Sequence, residues 1–357
     1  LAAKQEIVRR EATVDGALWG GLVDNNLADL DALHAGGVVG FKAFLSASGT
    51  DFARIDDDLL LAGLLRAKEL DTLVGVHADN DAVTHYLTGQ LQGAGRTDPY
   101  AWGAARPPSA ELEAIRRALF WAEQSGGRLH VVHVSQAAGI AAISAAKAQG
   151  VRVTAETCPH YLSFDEDDFA RIGPAAKCAP PLRSRAEVEA LWATVLRGEV
   201  DIIASDHSPC LWEDKERGSE NVWLAWGGIS GIQSLLAALL SEGVQRRGLP
   251  LPALARMTAA NPARIFGLYP VKGVLLPGAD ADLVVVDPER RWTLTADQLL
   301  YKNPHSAYLG YSFHGAVERT FVRGAQVYPQ GGIRVPPGFG RLLLRQQPGA
   351  APQRADG

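Results

Sequence analysis

Four polar residues stand toward the C-terminal ends of short apolar runs, and their types suit the binding of a metal ion. Lys42 lies in GVVGFKAFL (37–45), His77 in TLVGVHA (72–78), His133 in RLHVVHVS (128–135) and Asp206 at the end of VDIIASD (200–206). Two imidazoles and a carboxylate from three separate segments can converge on one divalent ion, a donor set that suits zinc or a similar metal. An ammonium is costly to bury unpaired, which makes Lys42 conspicuous. Burial and a nearby dication both favour the neutral amine. A neutral amine can react with carbon dioxide to give a carbamate, whose two oxygens can bridge two metal ions. Each residue also has a plainer use. A strand-end histidine often completes a core hydrogen bond, Asp206 could cap a turn, and Lys42 could extend its ammonium outward. Four such residues at similar places in four apolar runs favour a shared site. His130, earlier in its run, is read as structural, as are His34 and His85.

The elements that position these residues follow from the apolar pattern. Besides the four runs, ALWGGLV (17–23) and VRVTAET (151–157) are apolar and β-branched. All six read as strands of a parallel sheet covered on both faces. Helical patterns over 55–70, 109–127, 136–150 and 185–199 lie between them, with Ser109 as the N-cap of the second. Strand–helix alternation indicates an α/β fold, a parallel barrel with a doubly wound sheet as the alternative. In a barrel, the C-terminal strand ends form the face where sites are built. Beyond about residue 270, the segments 271–288 and 319–332 read as short strands with Pro/Gly turns, and 344–357 as a disordered tail.

Composition excludes several functions. The 357 residues are 47% apolar and 21% charged with a net charge of −5, which argues for a globular protein and against a nucleic-acid surface. No apolar run reaches the ~18 residues of a membrane span, and the charged first residues do not resemble a signal peptide. Cys158, Cys178 and Cys210 are odd in number and far apart, which suits a reducing cytoplasm.

These residues and motifs together resemble the cyclic amidohydrolases of the amidohydrolase superfamily, and among them the allantoinases most. GFKAFLSASG (40–49) resembles the family's carbamylated-lysine strand, VHADN (76–80) and HVVHVS (130–135) its two single-histidine metal strands, and ASDHSPC (204–210) its catalytic aspartate strand. AETCPHYL (155–162) and KCAPPLR (177–183) resemble segments of dihydroorotases and allantoinases alike, whereas WLAWGGISGIQ (223–233) is the most allantoinase-like stretch.

The resemblance implies a TIM-like (β/α)8 metal-dependent hydrolase barrel with about six of its eight strands present, over 1–268, and the C-terminal part of a small β-sandwich domain over 269–343. It implies two divalent metal ions, zinc with cobalt, manganese or iron as alternatives. Lys42 as N6-carboxylysine would bridge them, His77 and His133 would hold one, and Asp206 would hold the other and act as the catalytic proton carrier. Cys178 and Ser208 would lie where the family contacts substrate. The implied reaction is hydrolysis of the cyclic amide of allantoin to allantoate, a step of purine breakdown, by a homotetramer. Alternatives are a dihydroorotase, a hydantoinase or dihydropyrimidinase, and a non-catalytic scaffold. Dihydroorotate carries a carboxylate that needs a cation, and Arg183 is the arginine its motif offers. His160 and His207 are conspicuous without an assigned role.

One departure is large. The family's first barrel strand ends in His-x-His, and no His-x-His occurs in this sequence. ALWGGLV resembles the family's third strand. The expectation is an N-terminally truncated chain, lacking on the order of a hundred residues at about 30 per strand–helix unit, and inactive on its own.

Overall fold

The computed structural model describes residues 1–329 and 332–345. Six strands form one parallel sheet in chain order: β1 (Gly20–Gly21), β2 (Phe41–Phe44), β3 (Leu73–His77), β4 (Arg128–Val131), β5 (Val153–Thr157) and β6 (Ile202–Ile203). Each falls inside an expected run. Sequential parallel neighbours with helical crossovers are the wall of a (β/α) barrel, not a doubly wound sheet, whose strand order would reverse. Among the described residues, β1 and β6 are the outer strands.

Helices α1 (Ala2–Glu11), α2 (Leu30–Ala35), α3 (Asp57–Glu69), α4 (Asp81–Gly93), α5 (Pro99–Ala105), α6 (Pro108–Ser125), α7 (Ala137–Ala148), α8 (Pro159–Ser163), α9 (Glu166–Ile172) and α10 (Arg185–Leu196) precede β6 or connect the strands. α6 buries Ala110, Ala114, Ala118 and Ala122, a stripe repeating every four residues that packs among α3, α7 and β4. Ser109 is not its N-cap. Pro107 takes that position and Pro108 opens the helix, where a missing N–H costs nothing. At its other end Gly126 adopts a left-handed φ of 64°, the conformation that closes a helix. α1 has no counterpart in the apolar pattern, because it buries none of its residues.

The later part carries one antiparallel sheet: β7 (Leu283–Thr293), β8 (Ser312–Val322) and β9 (Ala325–Pro329). Of the expected β-sandwich, this single three-stranded layer is described. The expected strand over 271–288 begins only at Leu283. Leu294, Tyr308 and Phe313 join the same apolar core as the barrel strands. Residues 12–16 run beside 340–343, with Gly16 paired to Leu342. Asp15 locks this junction, accepting from Lys272 Nζ at 2.5 Å, the Arg341 amide at 2.8 Å and Arg323. The expected tail lies outside the described residues from 346 onward. Arg345 itself is anchored, donating to Thr72 Oγ1 at 3.1 Å and to the Asp71 carbonyl.

Candidate active site

The strand register sets the depth of each candidate residue. Lys42 is not at a strand end. It is the second residue of β2, level with Gly21 on one side and Gly75 on the other. His77 is the last residue of β3, level with Phe44, and so lies two residues nearer the C-terminal face. His133 comes two residues after β4 and Asp206 three after β6. The long lysine stem compensates for its deeper start. Gly75 is required there because a Cβ would lie 2.8 Å from the Trp19 ring. Trp19 packs on His130 and Phe266 beneath the site. His130 is structural: it is fully buried, with Nδ1 2.8 Å from Thr154 Oγ1 and Nε2 3.2 Å from Glu156.

Four non-glycine residues among those described have positive φ, and two of them are His133 (42°) and Asp206 (43°). This conformation costs free energy, and such residues concentrate at functional sites. His133 is held by the segment behind it. Ser135 donates its amide to Glu111 at 2.8 Å, and Glu111 also accepts from Gln136 Nε2 at 3.0 Å and Arg183 Nη2 at 2.8 Å.

The donor set fits a metal ion. His77 Nδ1 and His133 Nε2 face each other at 3.0 Å in the interior. Two nitrogens bound to one tetrahedral ion at about 2.0–2.1 Å would lie about 3.3 Å apart. Burial, with Lys42 close to both, holds the two rings well below the usual imidazole pKa, so each keeps lone pairs to offer. Desolvation brings the Lys42 ammonium down to about 7 against the opposing pull of Asp206 and Glu156. Its one hydrogen bond is to the neighbouring Ala43 carbonyl at 3.2 Å. The same desolvation, helped by Glu156, pushes Asp206 up to about 6, with Lys42 opposing.

A cavity of about 470 Å³ opens beside His77, a volume that suits a small heterocycle. Its wall includes Asp79, Arg106, Lys177, Trp226 and Gly227. The Arg106 guanidinium stacks 3.4 Å from the centre of the Trp102 ring, and its Nη1 has no hydrogen-bond partner. Lys177 Nζ lies 3.9 Å from the same ring and donates to the Ala225 carbonyl at 2.6 Å. Burial raises the Asp79 carboxyl to about 7 despite Arg106 nearby.

The side chains of Cys178 and Ser208 do not line this cavity, though their neighbours Lys177 and Ala179 and the segment facing Ser208 do. Cys178 is buried, its carbonyl accepts from Trp102 Nε1 at 2.7 Å, and burial pushes its thiol up to about 12. Ser208 Oγ accepts from Trp226 Nε1 at 3.0 Å. Gly228 permits this bond, since a Cβ there would meet Ser208 and lie 2.8 Å from Trp226 Nε1. Arg183 is buried against Glu111 and does not line the cavity, whose basic side chains are Arg106, Lys177 and Arg217.

Sequence reasoning missed Glu156, Asp79, Arg106 and Lys177. Glu156 carried a signal, an acid inside an apolar strand, and Asp79 follows His77 by two residues. Arg106 and Lys177 lie in connections, where no periodicity marks direction.

A parallel barrel wall with metal-type donors around its C-terminal ends defines a barrel hydrolase. The amidohydrolase family model matches residues 55–327, and the chain belongs to that family. It is 48% identical to the allantoinase of Rubrobacter xylanophilus over 96% of this chain and 75% of that protein. It is 43% identical to the allantoinase of Deinococcus radiodurans over 95% of this chain and 75% of that one. Among solved structures, the L-hydantoinase (dihydropyrimidinase) of Arthrobacter aurescens superposes with a TM-score of 0.94 at 36% identity, covering 96% of this chain and 76% of the other.

Proposed function

We propose that the protein hydrolyses the cyclic amide of allantoin to allantoate. The carrying observation is that Lys42, His77, His133 and Asp206 lie in or just after β2, β3, β4 and β6 of one parallel sheet, with His77 lining a heterocycle-sized cavity. The allantoinases it resembles supply the substrate. Two divalent ions, zinc foremost with cobalt, manganese and iron as alternatives, would lower the pKa of a water and polarise the amide carbonyl when bound. His77 and His133 would hold one ion and Asp206 the other, and Lys42, as its carbamate, would supply oxygen donors to them. The near-neutral pKa of Lys42 supports that modification, because the free amine is the form that reacts with carbon dioxide.

Asp206 accepts the proton of the attacking water and returns it to the leaving ring nitrogen. Trp102, Trp223 and Trp226 line the wall that would orient the ring. Cys178 and Ser208 act through the segments they anchor. The three cysteines are free thiols, which suits a cytoplasmic protein, and the family resemblance supports a homotetramer.

Arg106 favours a second reading, because an unpaired guanidinium in the cavity wall could take the carboxylate of dihydroorotate. The test is a substrate panel of allantoin, dihydroorotate, dihydrouracil and hydantoin, run on the natural protein carrying this chain. Allantoin should have the highest kcat/KM, with chelation abolishing turnover and metal plus bicarbonate restoring it. Preference for dihydroorotate would overturn the assignment in favour of the second reading.

A further inference from the structure

Next to the proposed catalytic ligands lies a second donor cluster with a different chemistry. Cys158, His160 and Asp206 each offer a ligand atom, and the three atoms lie within 4.8 Å of one another. Cys158 directly follows β5, His160 sits in the first turn of α8, and Asp206 follows β6, which pairs with β5 at Thr157 and Ile203. Cys158 is fully buried and His160 is 1% exposed. His160 Nε2 has no hydrogen-bond partner. A buried imidazole nitrogen left unpaired is costly. One ring nitrogen of the same imidazole completes a three-donor set with the thiol and the carboxylate.

We infer that Cys158, His160 and Asp206 form a site for a thiophilic divalent cation, Zn²⁺ or Cd²⁺, which differs from the catalytic pair in its sulfur donor and its own imidazole and shares Asp206 with it. Thiolate and imidazole select zinc and cadmium over magnesium, calcium or manganese. On binding, the Cys158 S–H bond breaks, its proton leaves to solvent, and the thiolate takes its place on the cation. Asp206 is common to both sets. Occupancy of this site therefore removes Asp206 from the catalytic set, and excess zinc inhibits the enzyme.

Cadmium chloride is the probe, added to the natural protein carrying this chain and followed by thiolate-to-cadmium charge-transfer absorption in the ultraviolet. Catalytic ligands without sulfur give no such band. The expected result is a band saturating at one cadmium per chain and lost in Cys158→Ser. It should be retained in the double variant Cys178→Ser/Cys210→Ser, where Cys158 is the one cysteine left in this sequence. His160→Gln should weaken the apparent affinity by about 10–100-fold, at least the effect of losing an outer-shell partner. No band in the wild type overturns the inference, as does a band lost in the double variant. The double variant decides the matter even if Cys158→Ser does not fold.

Discussion

Replacing Glu111 by alanine tests how the turn carrying His133 is held. Glu111 and Arg183 form an ion pair at 2.8 Å with side chains 2% and 5% exposed. The same carboxylate accepts the Ser135 amide, two residues beyond His133. Deletion leaves a buried guanidinium without its counter-charge, a loss of about 3–5 kcal/mol. At about 2 °C per kcal/mol for a chain of this size, the melting temperature should fall by about 6–10 °C. Metal content should fall as well, because His133 occupies a left-handed conformation that its surroundings must maintain. Calorimetry and metal analysis of Glu111→Ala measure both effects. A double variant, Glu111→Leu with Arg183→Met, should recover part of the lost stability, since removing both charges also removes the desolvation cost. A melting temperature within about 1 °C of wild type in Glu111→Ala would refute the reasoning, as would a double variant losing the sum of both single losses.

Three further outcomes follow from the site. In metal-free protein the unfolded chain keeps the Lys42 proton up to about 10.5 while the folded chain releases it near 7, so stability rises with pH across that window. Lys42→Met should flatten that rise in urea unfolding, and parallel pH dependences would exclude the low folded pKa. Gly228→Ala should cost about 1–3 kcal/mol by overpacking against Ser208 and Trp226. Its KM should rise while metal content stays constant, and wild-type kinetics would show that this contact does not shape the cavity. Arg106→Leu should lower kcat/KM about 10–150-fold if the free Nη1 donates to substrate, a charged hydrogen bond contributing about 1.5–3 kcal/mol. An unchanged value would leave Arg106 as packing on Trp102.

The six strands were legible because a strand covered on both faces must be largely apolar, a property written into runs of seven to nine consecutive residues. Lys42, His77, His133 and Asp206 were legible for the same reason, as polar interruptions of such runs. Ser109 misled because capping propensity is weaker evidence than two prolines whose fixed φ sets the helix start. The Trp-Gly-Gly segment was visible as a pattern, but the close approach of Ser208 that requires Gly228 was not.

The six strands and the residues offered to one end of the sheet were determined by local composition, whereas the order β1 to β6, which separates a barrel wall from a doubly wound sheet, was decided by the tertiary structure. What tertiary structure decided was everything that depends on direction across gaps in sequence. The facing of His77 and His133 spans 56 positions, and the Arg183–Glu111 pair spans 72. Side chains on connections, such as Arg106, Lys177 and His160, have no period to reveal which way they point. Packing alone turned them toward the cavity wall or into the interior, and folding alone brought the Cys158, His160 and Asp206 donors together.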